Sequence, residues 1–224
     1  MNALGGRATS VLTALATAVV IVNLAALPFF TPQWIAFEQG RSNAAGWTGF
    51  TTGEVNAATG SILSDLVFGP PNFDVQVRGE PVLDERERGH MRNVKTAFTG
   101  LWILGALSVI ALIAASRRAE LAATWHAVRR GAIGLAVAII ALGGVALVAF
   151  DALFEAFHQV LFPAGSYDFD PATERLVQLL PFQFWQETAI VVGMVILVGC
   201  ALVAAFAGPR ARSVAVADVP GAPS

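Results

Sequence analysis

The chain has 224 residues, is 55% hydrophobic and only 13% charged, and carries a formal net charge of −2 with a mean hydropathy of +0.64. Soluble domains hold roughly 25% charged residues, so this composition excludes an ordinary soluble domain and implies an integral membrane protein. It shows no basic excess to suggest a nucleic-acid partner and no phosphate-binding Gly-rich loop to suggest a nucleotide.

In chain order, residues 8–27 (ATSVLTALATAVVIVNLAAL) form the first run long enough to cross about 30 Å of hydrocarbon. It exceeds a signal-peptide core and no A-x-A site follows, so it reads as a retained anchor. PFFTPQW then places aromatics at interface depth. Residues 52–68 read as a short amphipathic helix with Val55, Ala58, Ile62 and Leu66 on one face. GPPNFDVQVRGEP is turn-rich.

LDERERGHMRNVK reads as a helix that continues into the second span, 96–115, with Leu83, Glu87, His90, Met91 and Val94 on one stripe. Gly89 is expected to allow close approach of a neighbour. Arg86, Arg88 and Arg92 suit lipid phosphates or acidic neighbours. The third span, 131–150, continues through DALFEAFHQVLF as a helix to Pro163, with Asp151, Glu155, His158 and Phe162 on one face. AGS is a loop. DPATERLVQLL suggests a short helix with Asp170 near its N-cap and Pro171 at its first position. PFQFW supplies aromatics where the fourth span, 188–207, begins. None of the four spans contains Asp, Glu, Lys, Arg or His.

The fold class is therefore all-α membrane, a single domain over 1–208 with four transmembrane helices, and 209–224 is expected to be a disordered cytoplasmic tail. Arg7, Arg117, Arg118, Arg129, Arg130, Arg210 and Arg212 fall on one side if the spans alternate. That side reads as cytoplasmic, with both termini inside. The outer segments, 28–95 and 151–187, hold 14 of the 16 acidic residues and two of the three His; the third, His126, reads as solvated. The chemistry is thus expected outside the cytoplasm. Cys200 is a lone thiol in an apolar run and signals neither a disulfide nor a metal site.

Glu87-Arg-Gly-His90 and Glu155-Ala-Phe-His158 are both ExxH, each at the outer end of a span, and their spans are joined by a short connector. The two His are placed to face one another at one depth. A Glu three residues earlier is placed to accept a hydrogen bond from each imidazole, fixing its tautomer. Two oriented imidazoles at a lipid–water boundary make an acid/base pair. A lone interfacial His is as well explained as a solvated cap, but two copies at equivalent depth favour function. Paired ExxH motifs also match part of a carboxylate-bridged di-metal site. The further carboxylates such a site needs are absent from spans one and four. A single metal held by His90, His158 and one carboxylate remains a second reading, and a non-catalytic membrane protein a third. No charged residue interrupts a span, which counts against transport.

ERERGHMRNVK resembles an E-x-x-HM-x-DVK block, and FHQVLFPAGSYDFDPATERLVQLLPFQFW resembles an FH-x-x-FF-x-x-x-x-W-x-F…LI-x-x-P-x-x-FW block, of a family of four-span bacterial membrane proteins that includes the lipoprotein intramolecular transacylases. Thr59-Gly60, the TG of a TG-x-S element, and the span pattern extend the resemblance over nearly the whole chain. Asn93 stands where the family has Asp, Tyr167 where it has Trp and Phe182 where its P-E-x-FW form has Glu.

The resemblance implies an acyltransferase that moves the sn-2 acyl chain of a lipoprotein's diacylglyceryl-cysteine to that cysteine's α-amine. Its partners would be a bacterial lipoprotein N-terminus and membrane lipid, it would need no cofactor, and it would act at the outer face of the cytoplasmic membrane. His90 and His158 would be the catalytic residues, acting as acid and base without a covalent intermediate. Glu87, Glu155 and Asn93 would support them. Oxyanion stabilisation would fall to the second His, Lys95, Arg92 or Tyr167.

Overall fold

The computed structural model describes residues 3–117 and 121–217, with side chains over 6–117 and 121–212. Arg118 lies outside the described residues. Helix α1 (Ala3–Ala26) leads through a 3-10 turn, Leu27–Phe30, into α2 (Pro32–Arg41), α3 (Ala44–Thr48) and α4 (Thr52–Val67). A two-stranded hairpin, β1 (Gln76–Val77) and β2 (Glu80–Pro81), precedes α5 (Glu85–Ser116), α6 (Leu121–Leu161), α7 (Arg175–Leu179) and α8 (Phe182–Ala217). Among the described residues, helices α1, α5, α6 and α8 are the four long and apolar enough to cross a membrane, and the fold is an all-α membrane fold of four spans.

Both helical continuations beyond the spans hold: α5 begins at Glu85 and α6 runs to Leu161, shortly before Pro163. Within α6, Ala149 leaves helical geometry (φ −148°, ψ 46°). Three expectations change. Helix α8 is helical through Ala217, so residues 209–217 extend the fourth span's helix instead of forming a tail; 218–224 lie outside the described residues. Helix α7 spans only Arg175–Leu179 with Glu174 at its N-cap. Asp170 instead closes a local turn, its Oδ1 accepting from Ala172 N at 2.9 Å. A Cβ on Gly89 would meet only the Arg92 side chain, at 3.6 Å, so no neighbour uses that glycine to approach.

The chain packs as two compact units. One comprises Met1–Ala25, Leu101–Gly144 and Gly193–Ser224. Here small residues let backbones meet: a Cβ on Gly131 would lie 2.2 Å from the Ala14 carbonyl oxygen. Leu107, Ile110, Val137, Ile140, Leu202 and Phe206 point outward and exposed, as a lipid-facing surface requires.

The other unit comprises Ala26–Gly100 and Val145–Val192. Its core joins Val55, Ala58 and Ile62 of α4 to Phe73 and Val75, to Leu83 and Met91 at the head of α5, and to Leu176 and Leu179 of α7. Helix α4 starts at a capping box: Thr51 Oγ1 accepts from Glu54 N (3.3 Å) and Glu54 Oε2 from Thr51 N (2.8 Å). The hairpin turns at Arg78 and Gly79, both left-handed (φ 55° and 84°), the geometry a two-residue hairpin demands. Arg78 then reaches back bidentately to Glu54, with both bonds at 2.7 Å.

Candidate active site

The head of α5 is fixed from two directions by Glu87. Its side chain is buried, 2% exposed. Oε2 accepts from Asp84 N at 2.7 Å while Asp84 Oδ1 accepts from Glu87 N at 2.8 Å, a reciprocal cap on the first turn. Oε1 accepts from Leu176 N, the second residue of α7, at 2.6 Å. Glu87 therefore serves helix starts, whose N–H groups have no internal partner. Neither oxygen is hydrogen-bonded to His90, whose Nδ1 has no partner among the described residues. Arg86 pairs with Glu174, donates to the Asp168 carbonyl at 2.7 Å and lies 4.6 Å over the Phe169 ring. Loop 168–174 is thereby tied to the first turn of α5.

One turn on, His90 is buried, 7% exposed. Its ring meets Phe162 (4.8 Å) and Phe169 (5.5 Å) edge-on, and its Nδ1 has no hydrogen-bond partner among the described residues. His158 faces it with centroids 6.1 Å apart and planes 19° from parallel. The expectation that the two imidazoles meet is thus met in geometry. His158 Nδ1 lies 2.7 Å from the carbonyl oxygen of Phe154, one turn back on the same helix. A carbonyl only accepts, so Nδ1 is the donor, and the lone pair of the neutral ring is on Nε2. The ExxH pairing fails here too: Glu155 Oε1 accepts from Gln159 (2.9 Å) and from the Tyr167 hydroxyl (3.3 Å).

A cavity of about 310 Å³ opens on both rings. Phe30, Phe98, Phe154, Tyr167, Phe169 and Trp185 contribute aromatic wall, and no Asp, Glu, Lys or Arg lines it. The aromatics at 28–34 and 182–185, expected at interface depth, therefore also build the cavity: Phe29, Phe30 and Trp185 all line it. Tyr167 sits 5.2 Å from His158. Burial first, then the Glu155 carboxylate, raises its phenol above the ordinary value, so it stays protonated.

The other expected donors are committed elsewhere. Lys95 Nζ donates to the carbonyls of Asp65 (2.6 Å), Leu66 (3.2 Å) and Gly69 (3.0 Å), capping the C-terminal end of α4. Arg92 pairs with Glu85 at 2.7 Å and, like the half-buried Asn93, does not line the cavity. Among the described residues no three His, Cys, Asp or Glu side chains gather as a metal site; neither motif carboxylate is hydrogen-bonded to an imidazole.

Sequence reasoning missed Asp84, although D-x-x-E before an apolar run is a capping signal. It also missed the clamp between α2 and α8. Arg41 Nε donates to Glu187 Oε2 at 2.5 Å and Trp34 Nε1 to Thr188 Oγ1 at 3.2 Å. Beside that clamp Glu38 is buried, and burial, then the neighbouring Glu187 carboxylate, pushes its carboxyl up to about 7 against the pull of Arg41.

Four spans long and apolar enough to cross a membrane, with two facing imidazoles at one largely aromatic cavity, define a membrane-integral protein with a histidine-lined site. The model of the lipoprotein intramolecular transacylase family, Lit, matches residues 9–185. The chain belongs to that family and is a multi-pass membrane acyltransferase of the lipoprotein intramolecular transacylase class. No curated protein sequence matches it. Among solved structures, Lit from Bacillus cereus aligns with TM-score 0.74 at 17% identity, over 94% of this chain and 97% of that one. Variants of that protein with one histidine replaced by arginine or by alanine align at TM-scores 0.76 and 0.70, at 17% and 18% identity. The first covers 95% of both chains, the second 94% of this chain and 95% of its own. At such identity the likeness is one of fold.

Proposed function

We propose that this protein moves the acyl chain at the sn-2 position of a diacylglyceryl-cysteine lipoprotein onto the α-amine of the same cysteine, at the outer face of the cytoplasmic membrane. The observation that carries the reading is the pair of facing imidazoles 6.1 Å apart at one apolar cavity. Amine and ester belong to one molecule, so confinement supplies proximity and no nucleophilic side chain is needed.

His158 is the base. Its Nδ1–H is spent on the Phe154 carbonyl, which leaves Nε2 to take a proton from the amine as nitrogen bonds to the ester carbonyl carbon. The C–O bond to the glyceryl oxygen then breaks. That oxygen receives the same proton back from His158, and amide and free hydroxyl form without net proton change. His90 donates a ring N–H to the oxygen that becomes negative. Tyr167, on the cavity wall with its proton retained, is the supporting donor. Glu87 and Glu155 act at one remove, Glu87 by fixing the first turn that carries His90 and Glu155 by holding Tyr167. The basic flanks Arg117, Arg129, Arg130, Arg210 and Arg212 support a cytoplasmic position for the opposite helix ends.

The test is mass spectrometry of a reporter lipoprotein's N-terminal lipopeptide from bacteria lacking an N-acylating enzyme of their own. An N-acyl, lyso-glyceryl product is expected with the intact protein and not with His158→Ala or His90→Ala. An unchanged diacylglyceryl form despite membrane expression would overturn the assignment.

A further inference from the structure

A second concavity, of about 250 Å³, lies between α2 and α4. Ile35, Thr59 and Leu63 line both it and the histidine cavity, so the two abut along one wall. Their chemistry differs. The histidine cavity is aromatic and aliphatic; the groove presents the amides of Gln33, Gln39 and Asn56 and the hydroxyl of Thr59. Its floor is fixed: Gln39 Nε2 donates to Thr59 Oγ1 and to the Leu179 carbonyl, both at 2.8 Å. The amides of Gln33 and Asn56 have no side-chain hydrogen bond among the described residues. A Cβ on Gly60 would meet nothing within 4 Å, so that glycine leaves bare backbone facing open space. Gly inside a helix is less favourable than Ala, and a backbone left approachable is what it gives in return.

We propose that this groove seats the substrate's polypeptide, the first residues after the acylated cysteine; the inference rests on the reading of the histidine cavity above. A lipoprotein has an acyl part and a peptide part joined at one cysteine. An uncharged cavity for the first must adjoin a place for the second. Side-chain amides donate and accept together, as a peptide group does. The groove carries no Lys, Arg, Asp or Glu, which fits main-chain recognition of varied sequences and not a phosphate headgroup.

Two measurements on the full chain in lipid nanodiscs decide it. In the first, Asn56→p-benzoyl-phenylalanine is photolysed with a diacylglyceryl reporter lipoprotein, and Ser61→p-benzoyl-phenylalanine serves as the control on exposed α4 surface. Crosslinks from position 56 to the first residues after the lipidated cysteine are expected. Capture of phospholipid alone, or equal peptide capture from position 61, overturns the proposal. In the second, Gly60→Leu fills the groove and should lower kcat/KM for the reporter at least tenfold, while S-diacylglyceryl-cysteine amide, which has no following residues, is converted at the wild-type rate. Equal slowing of both substrates, or slowing of neither, overturns it. If the wild type converts neither substrate, the transacylase assignment fails by itself, and the crosslink still decides what the groove holds.

Discussion

Removing the Glu87 carboxylate separates two accounts of the first ExxH motif. If Glu87 polarised His90, Glu87→Ala would alter the pH–rate profile and leave stability nearly intact. The geometry assigns it to two helix starts. Its carboxylate accepts at 2.7 Å from Asp84 N and at 2.6 Å from Leu176 N while 2% exposed. A hydrogen bond to a charged group contributes about 1.5–3 kcal/mol. The alanine variant loses two, and its cavity is too buried for water to replace both, so the loss is about 3–6 kcal/mol. Glu87→Gln keeps one acceptor oxygen and sets an amide N–H against the other donor; it should recover less than half. Tryptophan-fluorescence melting in one detergent orders the three proteins wild type, Gln, Ala, and hydrogen exchange at Leu176 rises in the same order. A Glu87→Ala midpoint within about 1 °C of wild type would falsify the assignment.

Three further outcomes follow from named contacts. The folded-state value of Glu38, about 7, lies above its unfolded 4.5. The folded protein therefore binds more protons between those values, and stability is full below about 4.5 and falls as pH rises through 7. Glu38→Gln should flatten that slope and raise the melting point at pH 8, by at most about 3 kcal/mol of stability; a wild-type midpoint constant from pH 5 to 8 contradicts this. Lys95→Met should destabilise the α4 end by about 1.5–3 kcal/mol, leaving three carbonyls without their cation, yet keep turnover in the fraction that stays folded; loss of turnover at unchanged melting would instead make Lys95 an oxyanion donor. Gly131→Leu should abolish accumulation of folded protein, because its Cβ lands 2.2 Å from a backbone oxygen; normal monodisperse yield refutes the close α1–α6 approach.

The spans were legible because runs without charge have few structural meanings, and of the stripe read at the head of α5, Leu83, Glu87, His90 and Met91 are buried and Val94 half-buried. The two imidazoles were legible from equivalent depth on consecutive spans. Their partners were not. Spacing of three places Glu near His on a helix, but it cannot show that orphan N–H groups of two helix starts compete for the same carboxylate. Lys95 is adjacent to the motif in sequence and turned toward α4 in space. Phe169 reaches His90 only because loop 168–174 is held down by Arg86, a contact across 82 residues of chain. Arg-Gly at the hairpin is a weaker signal than Asn-Gly, so β1 and β2 were hidden within a turn-rich stretch.

Among the described residues, no Asp, Glu, Lys or Arg lines the chamber around the two rings. An α-amine has an ordinary pKa of about 7.7–8.0, and its ammonium form would enter that chamber with no counter-ion to replace its water. On the proposed reaction the cavity would admit the free base and turn back the cation. The alkaline rise of the reaction would then be a property of the substrate's own titration, and it would persist when either ring's surroundings are altered without adding charge.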